Sequence, residues 1–374
     1  MAKFLFYDDK IINILLKDEK PSGGAAVQAY GWIRGLLAAG HQVYIMSAPI
    51  KRELLKKDCQ NIKIIPDYNP AKGIRWIRWV YYRLPYIYKT LKKNKPDYIY
   101  KGIPSWHSFL LGLLCQMLDI KFIQRISNDF LIDDRFFLKY SKSHRIFQDF
   151  GFKLSDYILC QNDYQLGVIA KKFPDKKNLK ISNPIILDPS TDLSSVHSRS
   201  YIAWLGLFQY QKNLKLLFEI ASLLHDEQFV IAGKEIPKID RETTYYLNKL
   251  KELPNVKFIG FLHRQQVLPF LAKSKFLLNT SHYEGFSNTF LEAMAVCTPI
   301  ITSDKVNPDS IITKNLLGIV YKDGHDLLSQ FKLLTPDVYQ TMASNAYKHV
   351  FQNHDYKLLT NNLTSLLNVN EKVS

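Results

Sequence analysis

The feature that most constrains the fold is an alternation of short apolar runs with longer amphipathic stretches along the whole chain. This alternation is typical of helices that pack on a parallel β-sheet. The strands predicted for the first half are residues 4–7, 41–47, 62–65, 98–100, 122–126 and 157–160. Those predicted for the second half are residues 201–205, 229–232, 256–259, 276–279, 299–302 and 318–321. The pattern therefore predicts two doubly wound α/β domains.

A stretch rich in Pro and Ser, from Ser182 to Ser195, interrupts the alternation. We therefore predict an N-terminal domain at residues 1–183, a linker at 184–200 and a C-terminal domain at 201–354. A last helix, at about residues 355–374, is expected to pack back on the N-terminal domain. Ligands of such sheets bind at the carboxyl ends of the strands. We expect these two edges to face each other across a cleft.

Composition excludes several classes of protein. Hydrophobic residues make up 47% of the 374 residues and charged residues 22%, which excludes disorder as the main state. No run approaches the roughly 18 uninterrupted apolar residues that cross a bilayer. The first residues become acidic too early for a secretory signal, so a cytoplasmic location is expected. The four cysteines are far apart, and this spacing indicates neither a disulfide framework nor a zinc site.

The segment 281–295, SHYEGFSNTFLEAMA, contains the residues most suggestive of chemistry. It follows a predicted strand, and a helix is expected to begin near Ser287 with backbone N–H groups that can bind an anion. Glu284 precedes that helix and Glu292 is expected about two turns inside it. The two carboxylates can then contact one ligand at different depths. Gly285 allows a close approach of the backbone because it has no side chain.

This segment resembles the donor-binding signature of retaining GT-B glycosyltransferases of the GT4 family. Five further landmarks follow in the family's order, so the resemblance spans most of the chain. They are the Gly-rich loop 21–24, the interdomain 182–184, the strand and loop 204–213, the strand 231–233 and the strand 256–261. The resemblance implies the GT-B fold, with two Rossmann-like domains.

The resemblance also implies roles for individual residues. Glu284 would bind hydroxyls of the donor sugar, Glu292 the ribose of the nucleotide, and Lys212 the leaving diphosphate. Gly23 and Gly24 would let the N-terminal loop approach the phosphates and the acceptor. The other donor-binding positions implied are Gly206, Gly233, Gly285, Phe286, Ser287 and Asn288. The family needs no metal for retaining transfer, so no cofactor is expected.

Two positions depart from the family pattern. Leu207 occupies a place where the family often has an Arg that binds phosphate, so Lys212 acts with helix dipoles alone or with Arg264 or Lys234. The N-terminal domain often offers a His after its fourth strand, where this chain has Asn128. Asn128 or His107 is the candidate that replaces it near the reacting sugar.

Nearly all of the surplus positive charge is in the first half. Residues 1–183 contain 31 Lys and Arg against 16 Asp and Glu, whereas the remainder contains 19 against 18. This asymmetry favours an anionic partner.

Residues 71–95 combine Ile74, Ile77, Val80 and Leu84 at helical spacing with basic and aromatic residues. That pattern suits a helix at an anionic membrane surface, bent or ended at Pro85, or equally an internal helix with a basic outer face.

The sequence thus predicts a cytoplasmic, membrane-associated, retaining glycosyltransferase. Its donor would be a nucleotide sugar, with UDP favoured over GDP, and its acceptor a lipid-linked saccharide of surface polysaccharide biosynthesis. Two alternatives stay open. One is another GT-B enzyme, such as an epimerase or a phosphorylase, and the other is a basic nucleic-acid-binding protein, for which no RNP, KH or helix-turn-helix pattern is found.

Overall fold

The chain divides into two units in the structure, a computed structural model that describes residues 1–8, 10–19, 23–75, 77–187 and 199–369. Unit 1 comprises Met1–Pro184 together with Tyr356–Ser374, and unit 2 comprises Ile185–Asp355. Residues 188–198 of the predicted linker, and the predicted contributions of Pro21, Ser22 and Trp76, lie outside the described residues.

The apolar runs of the first half pair as a parallel sheet. Among the described residues its strand order is β3-β2-β1-β4-β5-β6-β7. The strands are β1 (Lys3–Phe6), β2 (Gln42–Ser47), β3 (Lys63–Pro66), β4 (Tyr98–Lys101), β5 (Lys121–Arg125), β6 (Tyr157–Cys160) and β7 (Lys177–Lys180). The strands β1, β4, β5 and β6 are almost entirely buried, as expected for a parallel sheet that is covered on both faces.

Helices connect these strands and cover the sheet. In unit 1 they are α1 (Ile11–Leu15), α2 (Gly24–Ala38), α3 (Leu84–Asn94), α4 (His107–Leu118), α5 (Lys142–Leu154), α6 (Asp163–Lys172) and, from the end of the chain, α14 (Tyr356–Leu366). The helix α14 lies so close to α2 that a Cβ at Gly35 would be within 2.8 Å of the side chain of Thr360 and of the carbonyl oxygen of Tyr356. Gly35 therefore permits this close contact between the helices.

Unit 2 repeats the architecture. Its described strands pair in parallel in the order β10-β9-β8-β11-β12-β13. They are β8 (Tyr201–Phe208), β9 (Phe229–Glu235), β10 (Val256–Gly260), β11 (Ser274–Asn279), β12 (Ile300–Ser303) and β13 (Gly318–Tyr321). The helices are α7 (Leu214–Leu223), α8 (Arg241–Glu252), α9 (Arg264–Ala272), α10 (Asn288–Met294), α11 (Ile311–Lys314), α12 (Gly324–Lys332) and α13 (Pro336–Asn353).

The predicted fold class is confirmed, and the predicted strands agree with the observed ones to within a few residues. The strand β7 was not predicted, because its sequence KNLK has a single apolar residue and lies at the sheet edge. The strands β8 and β9 extend three residues beyond the predicted ends. Their extra residues include Gly206 and Gly233.

The end of β5 is fixed by a buried arginine. Arg125 is fully buried, and its Nη2 atom donates to the carbonyl oxygen of Ile181 at 3.0 Å and to Oδ1 of Asn183 at 2.6 Å. The Nε2 atom of Gln28 also donates to Oδ1 of Asn183. These bonds fix residues 181–183, the last residues before the predicted linker.

The helix predicted over residues 71–88 is wrong in three respects. The α-helical part begins only at Leu84, after a π-helical turn at Trp79–Arg83. Pro85 does not end a helix, because it is the second residue of α3, which continues to Asn94. Arg83 is buried, with its guanidinium 4.8 Å from the ring centres of both Tyr68 and Trp79, so it is unavailable to a membrane.

Within the described residues, we find no helix with both the length and the apolar character required for a membrane span.

Candidate active site

The loop after β11 is firmly attached to the neighbouring strand β8. Thr280 accepts a hydrogen bond from Nε1 of Trp204 at 3.1 Å and donates to the carbonyl oxygen of Lys212 at 2.8 Å. The backbone N–H of His282 donates to the carbonyl oxygen of Gln211 at 2.9 Å. Because β8 and β11 are parallel neighbours, their carboxyl ends lie at one edge of the sheet. The two loops that follow them therefore form one polar surface.

Glu284 lies at the centre of that surface. Its Oε1 atom is 2.6 Å from Nζ of Lys212 and accepts a hydrogen bond from Oγ of Ser281 at 2.9 Å. Its Oε2 atom accepts from Nε2 of Gln211 at 3.3 Å. The side chains of Glu284 and Lys212 are only 12% and 17% exposed. Glu284 is therefore a buried and oriented carboxylate, rather than a solvated helix cap.

Lys212 is oriented by an unusual backbone conformation. It ends the short turn Tyr210–Lys212, and the next residue, Asn213, has a left-handed φ of 50°. Asn tolerates this conformation better than most residues, and its side chain caps α7 by accepting from the N–H of Leu216 at 3.1 Å. An ammonium group has three donors. The contact with Glu284 uses one of them, so two can serve a ligand.

Glu292 lies on α10, which begins at Asn288 with Ser287 as its N-cap. The helix begins where predicted, but Glu292 is about one turn inside it rather than two. Its side chain is 12% exposed, and its Oε1 atom is 3.4 Å from Nη1 of Arg264. Burial raises the pKa of Glu292, and the nearby Arg264 opposes this effect.

Arg264 reaches Glu292 from the first position of α9. A reciprocal cap between His263 and Gln266 fixes the start of that helix. Arg264 was predicted to be one of two possible second cations for a diphosphate, and it contacts the predicted ribose-binding carboxylate. The other possible cation, Lys234, has its Nζ atom 4.7 Å from the ring centre of Phe261.

The positions Gly206 and Leu207 lie in β8 rather than in a loop, and Gly233 lies in β9. Gly206 pairs with Gly233, and Leu207 pairs with Lys234. A Cβ at Gly233 would lie 2.2 Å from the carbonyl oxygen of Gly206. The close approach of β8 and β9 therefore accounts for Gly233 without a ligand. A Cβ at Gly206 would lie 3.3 Å from Cε of Lys212, so Gly206 leaves room for that side chain.

The remaining predicted donor-binding positions lie between Glu284 and α10. The backbone at Gly285 and Ser287 is buried. The ring of Phe286 is 6.5 Å from that of Phe290 and 5.3 Å from that of His354. The hydroxyl of Ser287 is 2.8 Å from that of Thr289, and Asn288 is the first residue of α10.

The predicted residues of unit 1 lie on different elements. Gly23 is the N-cap of α2 and Gly24 is its first residue. A Cβ at Gly23 would meet no atom within 4 Å, so there is open space beside this backbone. Asn128 accepts from the N–H of Phe130 at 3.3 Å, which makes it the cap of a short helical turn.

His107 is the first residue of α4 and not a loop residue as predicted. Its ring packs in a tilted orientation against the rings of Trp106 and Trp79, with ring centres 3.9 and 4.8 Å away. Burial, with a smaller contribution from Lys101 and Arg83, lowers its pKa to about 4. His107 is therefore neutral at physiological pH.

Sequence reasoning did not single out Asp129 as a functional residue. Its Oδ1 atom accepts hydrogen bonds from Nδ2 of Asn162 at 3.2 Å and from Nε2 of Gln165 at 2.8 Å. Burial raises the pKa of Asp129 to about 6, and the two hydrogen bonds oppose this effect. A carboxyl next to the chosen Asn128 was the available signal, but nothing in the sequence shows that it is buried.

Among the side chains that the structure describes, no group of three or more His, Cys, Asp or Glu could hold a metal ion.

Comparison with known proteins places this site in a family. The family model for glycosyl transferases group 1 matches residues 192–349, and that for glycosyltransferase family 4 matches residues 22–188. Together the two models match most of the chain, which supports its assignment to the GT4 family of glycosyltransferases. The lysine and the two carboxylates lie within the first of these matches.

Two curated proteins are similar in sequence to parts of this chain. Glycosyltransferase 1 domain-containing protein 1 of Xenopus tropicalis is 27% identical over 167 residues, which are 44% of this chain and 48% of that protein. Alpha-monoglucosyldiacylglycerol synthase of Streptococcus pneumoniae is 26% identical over 193 residues, which are 46% of this chain and 42% of that protein. The chain thus matches about half the length of these relatives.

Solved structures share the GT-B fold over the whole chain. Anabaena Alr3699/HepE, solved in complex with UDP and glucose, has a TM-score of 0.75 at 14% identity and covers 99% of this chain and 100% of its own. Sucrose-phosphate synthase from Thermosynechococcus elongatus has a TM-score of 0.77 at 14% identity, with all of both chains covered. WaaG, a glycosyltransferase involved in lipopolysaccharide biosynthesis, has a TM-score of 0.68 at 15% identity and covers 97% of this chain and 99% of its own. At these identities the likeness shows the fold alone.

Proposed function

We propose that this protein transfers a sugar from a nucleotide-sugar donor, of the UDP type, to a saccharide acceptor with retention at the anomeric carbon. The observation that carries the proposal is the buried contact between Lys212 and Glu284 at the shared edge of β8 and β11. An acid that accepts hydroxyl hydrogen bonds and a cation that offsets phosphate charge are the two groups that such a donor requires. The structure of HepE, which shares this fold, was solved with UDP and glucose bound, and this supports the choice of donor.

Each residue has a defined task in this reaction. The bond between the anomeric carbon and the diphosphate oxygen breaks, and a bond to the acceptor hydroxyl oxygen forms, while the hydroxyl proton passes to the leaving diphosphate. Lys212 uses its two remaining donors to stabilise the charge that grows on that diphosphate. A preorganised hydrogen-bond donor of this kind typically lowers the activation barrier by about 3–4 kcal/mol. No metal is required in this scheme because the ammonium supplies the positive charge.

The two carboxylates bind different parts of the donor. A carboxylate has about four lone-pair sites, and Glu284 uses three of them within the protein. The fourth can accept a hydroxyl of the sugar. Glu292 accepts the ribose hydroxyls, and Arg264 opposes the rise in its pKa that burial causes. Arg264 is thereby assigned to the ribose end of the donor rather than to the diphosphate.

The acceptor is proposed to be a lipid-linked saccharide used for surface polysaccharide, handled at the cytoplasmic face of a membrane. A named lipid-modifying relative, alpha-monoglucosyldiacylglycerol synthase, supports a lipid acceptor. In segment 71–95, Ile74, Ile77 and Val80 are 65%, 54% and 75% exposed, which supports contact with an anionic membrane. All four cysteines are unpaired and buried, as is common in a reducing compartment.

A thermal-shift panel tests the donor site. UDP-glucose, UDP-N-acetylglucosamine and GDP-mannose are compared on the wild type and on Glu284→Ala, Glu292→Ala and the exposed control Glu219→Ala. We expect a UDP-sugar to raise the Tm of the wild type and the control, because binding to the folded state adds about 2.7 kcal/mol at 100 times Kd. Glu292→Ala should weaken the shift given by that UDP-sugar. The donor site is rejected if no nucleotide shifts any of these proteins.

Acceptor and stereochemistry need a separate assay. The purified protein is incubated with labelled UDP-sugar and bacterial membrane extract. After extraction with organic solvent, label in the organic phase reports a lipid-linked product. The anomeric configuration of that product, read from its proton coupling, should match that of the donor. Label found only in free sugar would contradict transfer, and an inverted product would contradict retention.

A further inference from the structure

The outer face of α5 carries large apolar side chains where a solvated helix would be polar. Ile146, Phe147 and Phe150 are 54%, 43% and 43% exposed on successive turns, and the preceding turn exposes Phe137 and Leu138 by 45% and 70%. We call these five residues the α5 apolar face. Two of them pack on the helix beneath, since the ring centre of the half-buried Phe109 on α4 is 5.6 Å from that of Phe147 and 5.8 Å from that of Phe150.

The solvent-facing side of helix α8 in unit 2 serves as a comparison, because it is mostly polar. The outward positions of α8 are Glu242, Thr244, Asn248 and Lys251, with Tyr245 as its single strongly exposed ring. Both helices cover a parallel sheet, so the architecture does not require apolar residues on the outer side. Contiguous exposed apolar residues on a soluble domain usually mark an interaction surface.

Positive charge surrounds the α5 apolar face. Lys139, Lys142 and Lys153 are exposed around it, and Nζ of Lys153 is 5.5 Å from the ring centre of Phe150. The nearest carboxylates are largely neutralised: Asp149 is 2.6 Å from Lys172 and Asp133 pairs with Arg135. Asp134 is the exposed acid at the far end of this turn. The surroundings therefore carry a positive excess.

We propose that the α5 apolar face inserts into the headgroup layer of a bilayer that contains anionic lipid. Aromatic and aliphatic side chains suit that depth, while the surrounding lysines contact lipid phosphates. A second copy of the chain fits less well, because it would bring the same lysines of two strongly basic units together. The helix α4 connects this face to segment 71–95, since Trp106 packs on Trp79 while Phe109 packs on Phe147. The proposal deepens the proposed function by adding a second, stronger membrane contact.

Co-sedimentation with vesicles tests the proposal without any turnover. The vesicles are phosphatidylcholine alone or mixed about three to one with phosphatidylglycerol, an anionic lipid. The variant Ile146→Ser/Phe147→Ser/Phe150→Ser is compared with a matched control, Leu333→Ser/Val338→Ser/Phe351→Ser, which changes exposed apolar residues of unit 2. We expect the first variant to bind mixed vesicles at least about ten-fold more weakly and the control to bind like the wild type.

A fluorescent label gives a readout that does not depend on the triple variant's folding. The four native cysteines are buried, so Ile146→Cys and Val338→Cys can each be labelled with a polarity-sensitive dye. On mixed vesicles, the dye at position 146 should brighten and shift to the blue, whereas the dye at position 338 should not change.

Three results would overturn the proposal. They are equal vesicle binding by the two triple variants, an unchanged dye at position 146, and a wild-type dimer in lipid-free sedimentation that the α5 variant abolishes. The last result would assign the face to a second copy. Failure of the donor panel alone would leave vesicle binding intact, so the two proposals fail separately.

Discussion

The two units share a parallel sheet architecture but use charge in different ways. At the edge of the unit 2 sheet, cations lie on carboxylates: Lys212 on Glu284 and Arg264 on Glu292. Unit 1 has such a pair at the end of its sheet, Lys101 on Asp8, but two of its other buried charges are held by neutral partners. Asp129 accepts from the amides of Asn162 and Gln165, and Arg125 donates to a carbonyl and an amide oxygen.

This difference separates two kinds of recognition. Paired charges held at fixed distances suit a small ligand that carries both hydroxyls and phosphates. Unit 1 instead carries its surplus charge on the outside, together with exposed apolar residues, which suits an extended anionic surface. One architecture therefore supports both, and the side chains placed on it decide the chemistry.

The largest effect is expected from Lys212→Ala in unit 2. Removing the ammonium should lower kcat by about 100- to 1,000-fold, because the diphosphate loses its main source of positive charge. Steady-state kinetics measure this, with the exposed Lys238→Ala as the control. A kcat that stays within two-fold of the wild type, roughly 0.4 kcal/mol, would show that the paired cation of unit 2 is structural.

Next in size is Gly35→Ala in unit 1, which tests packing rather than charge. The new Cβ would overlap Thr360 and the backbone of Tyr356, so α14 must shift from α2. We expect a loss of about 2–3 kcal/mol in the free energy of unfolding, measured by urea denaturation. Gly167→Ala on α6 is the matched control, since its Cβ meets nothing within 4 Å and should slightly stabilise the helix. Equal behaviour of the two variants would contradict the close contact of α2 and α14.

Glu292→Gln should weaken the binding of UDP about ten-fold, or ~1.4 kcal/mol, measured by calorimetry. Because burial raises the pKa of Glu292, the affinity of the wild type should fall as the pH is lowered through that raised pKa. The Gln variant has no carboxyl there and should lack this contribution. Identical pH profiles for the two proteins would remove Glu292 from the site.

An effect of similar size, but on stability, is expected from Asp129→Asn in unit 1. The folded pKa of about 6 lies above the ordinary value of 3.8, so folding favours the protonated form. The stabilising contribution of this group is complete below about pH 4 and is lost as the pH rises through 6. At pH 8 the Asn variant should therefore be about 1–2 kcal/mol more stable than the wild type, a gain that vanishes near pH 4. If the difference in the free energy of unfolding between the two proteins stayed constant from about pH 4 to pH 8, the pKa of Asp129 would not be raised by folding.

The sequence predicted the fold more completely than the site. Apolar alternation located twelve of the thirteen described strands, because a strand buried on both faces must be apolar. It failed at β7, which is polar at the sheet edge. It also failed at Gly206, where a glycine in a paired strand looks the same in sequence as a glycine in a loop.

For the site, the sequence identified residues but not their partners. The spacing of Glu284 and Glu292 marked both carboxylates, and Lys212 was chosen from the loop 204–213. That Lys212 contacts Glu284, and Arg264 contacts Glu292, depends on residues 72 and 28 positions apart in the chain. Helical periodicity likewise could not show that Arg83 is buried between Tyr68 and Trp79.

The sequence by itself determined the two parallel sheets, the family and the identity of the acidic pair, because periodicity and local motifs are properties of neighbouring residues. The tertiary structure alone decided which charges are paired, which titrating groups are buried and which apolar side chains face outward. These depend on contacts between residues distant in the chain, where burial changes the free energy of a charge far more than the local sequence does. The exposed rings of α5 are one such outcome, since their spacing in the sequence equally suits a buried helix.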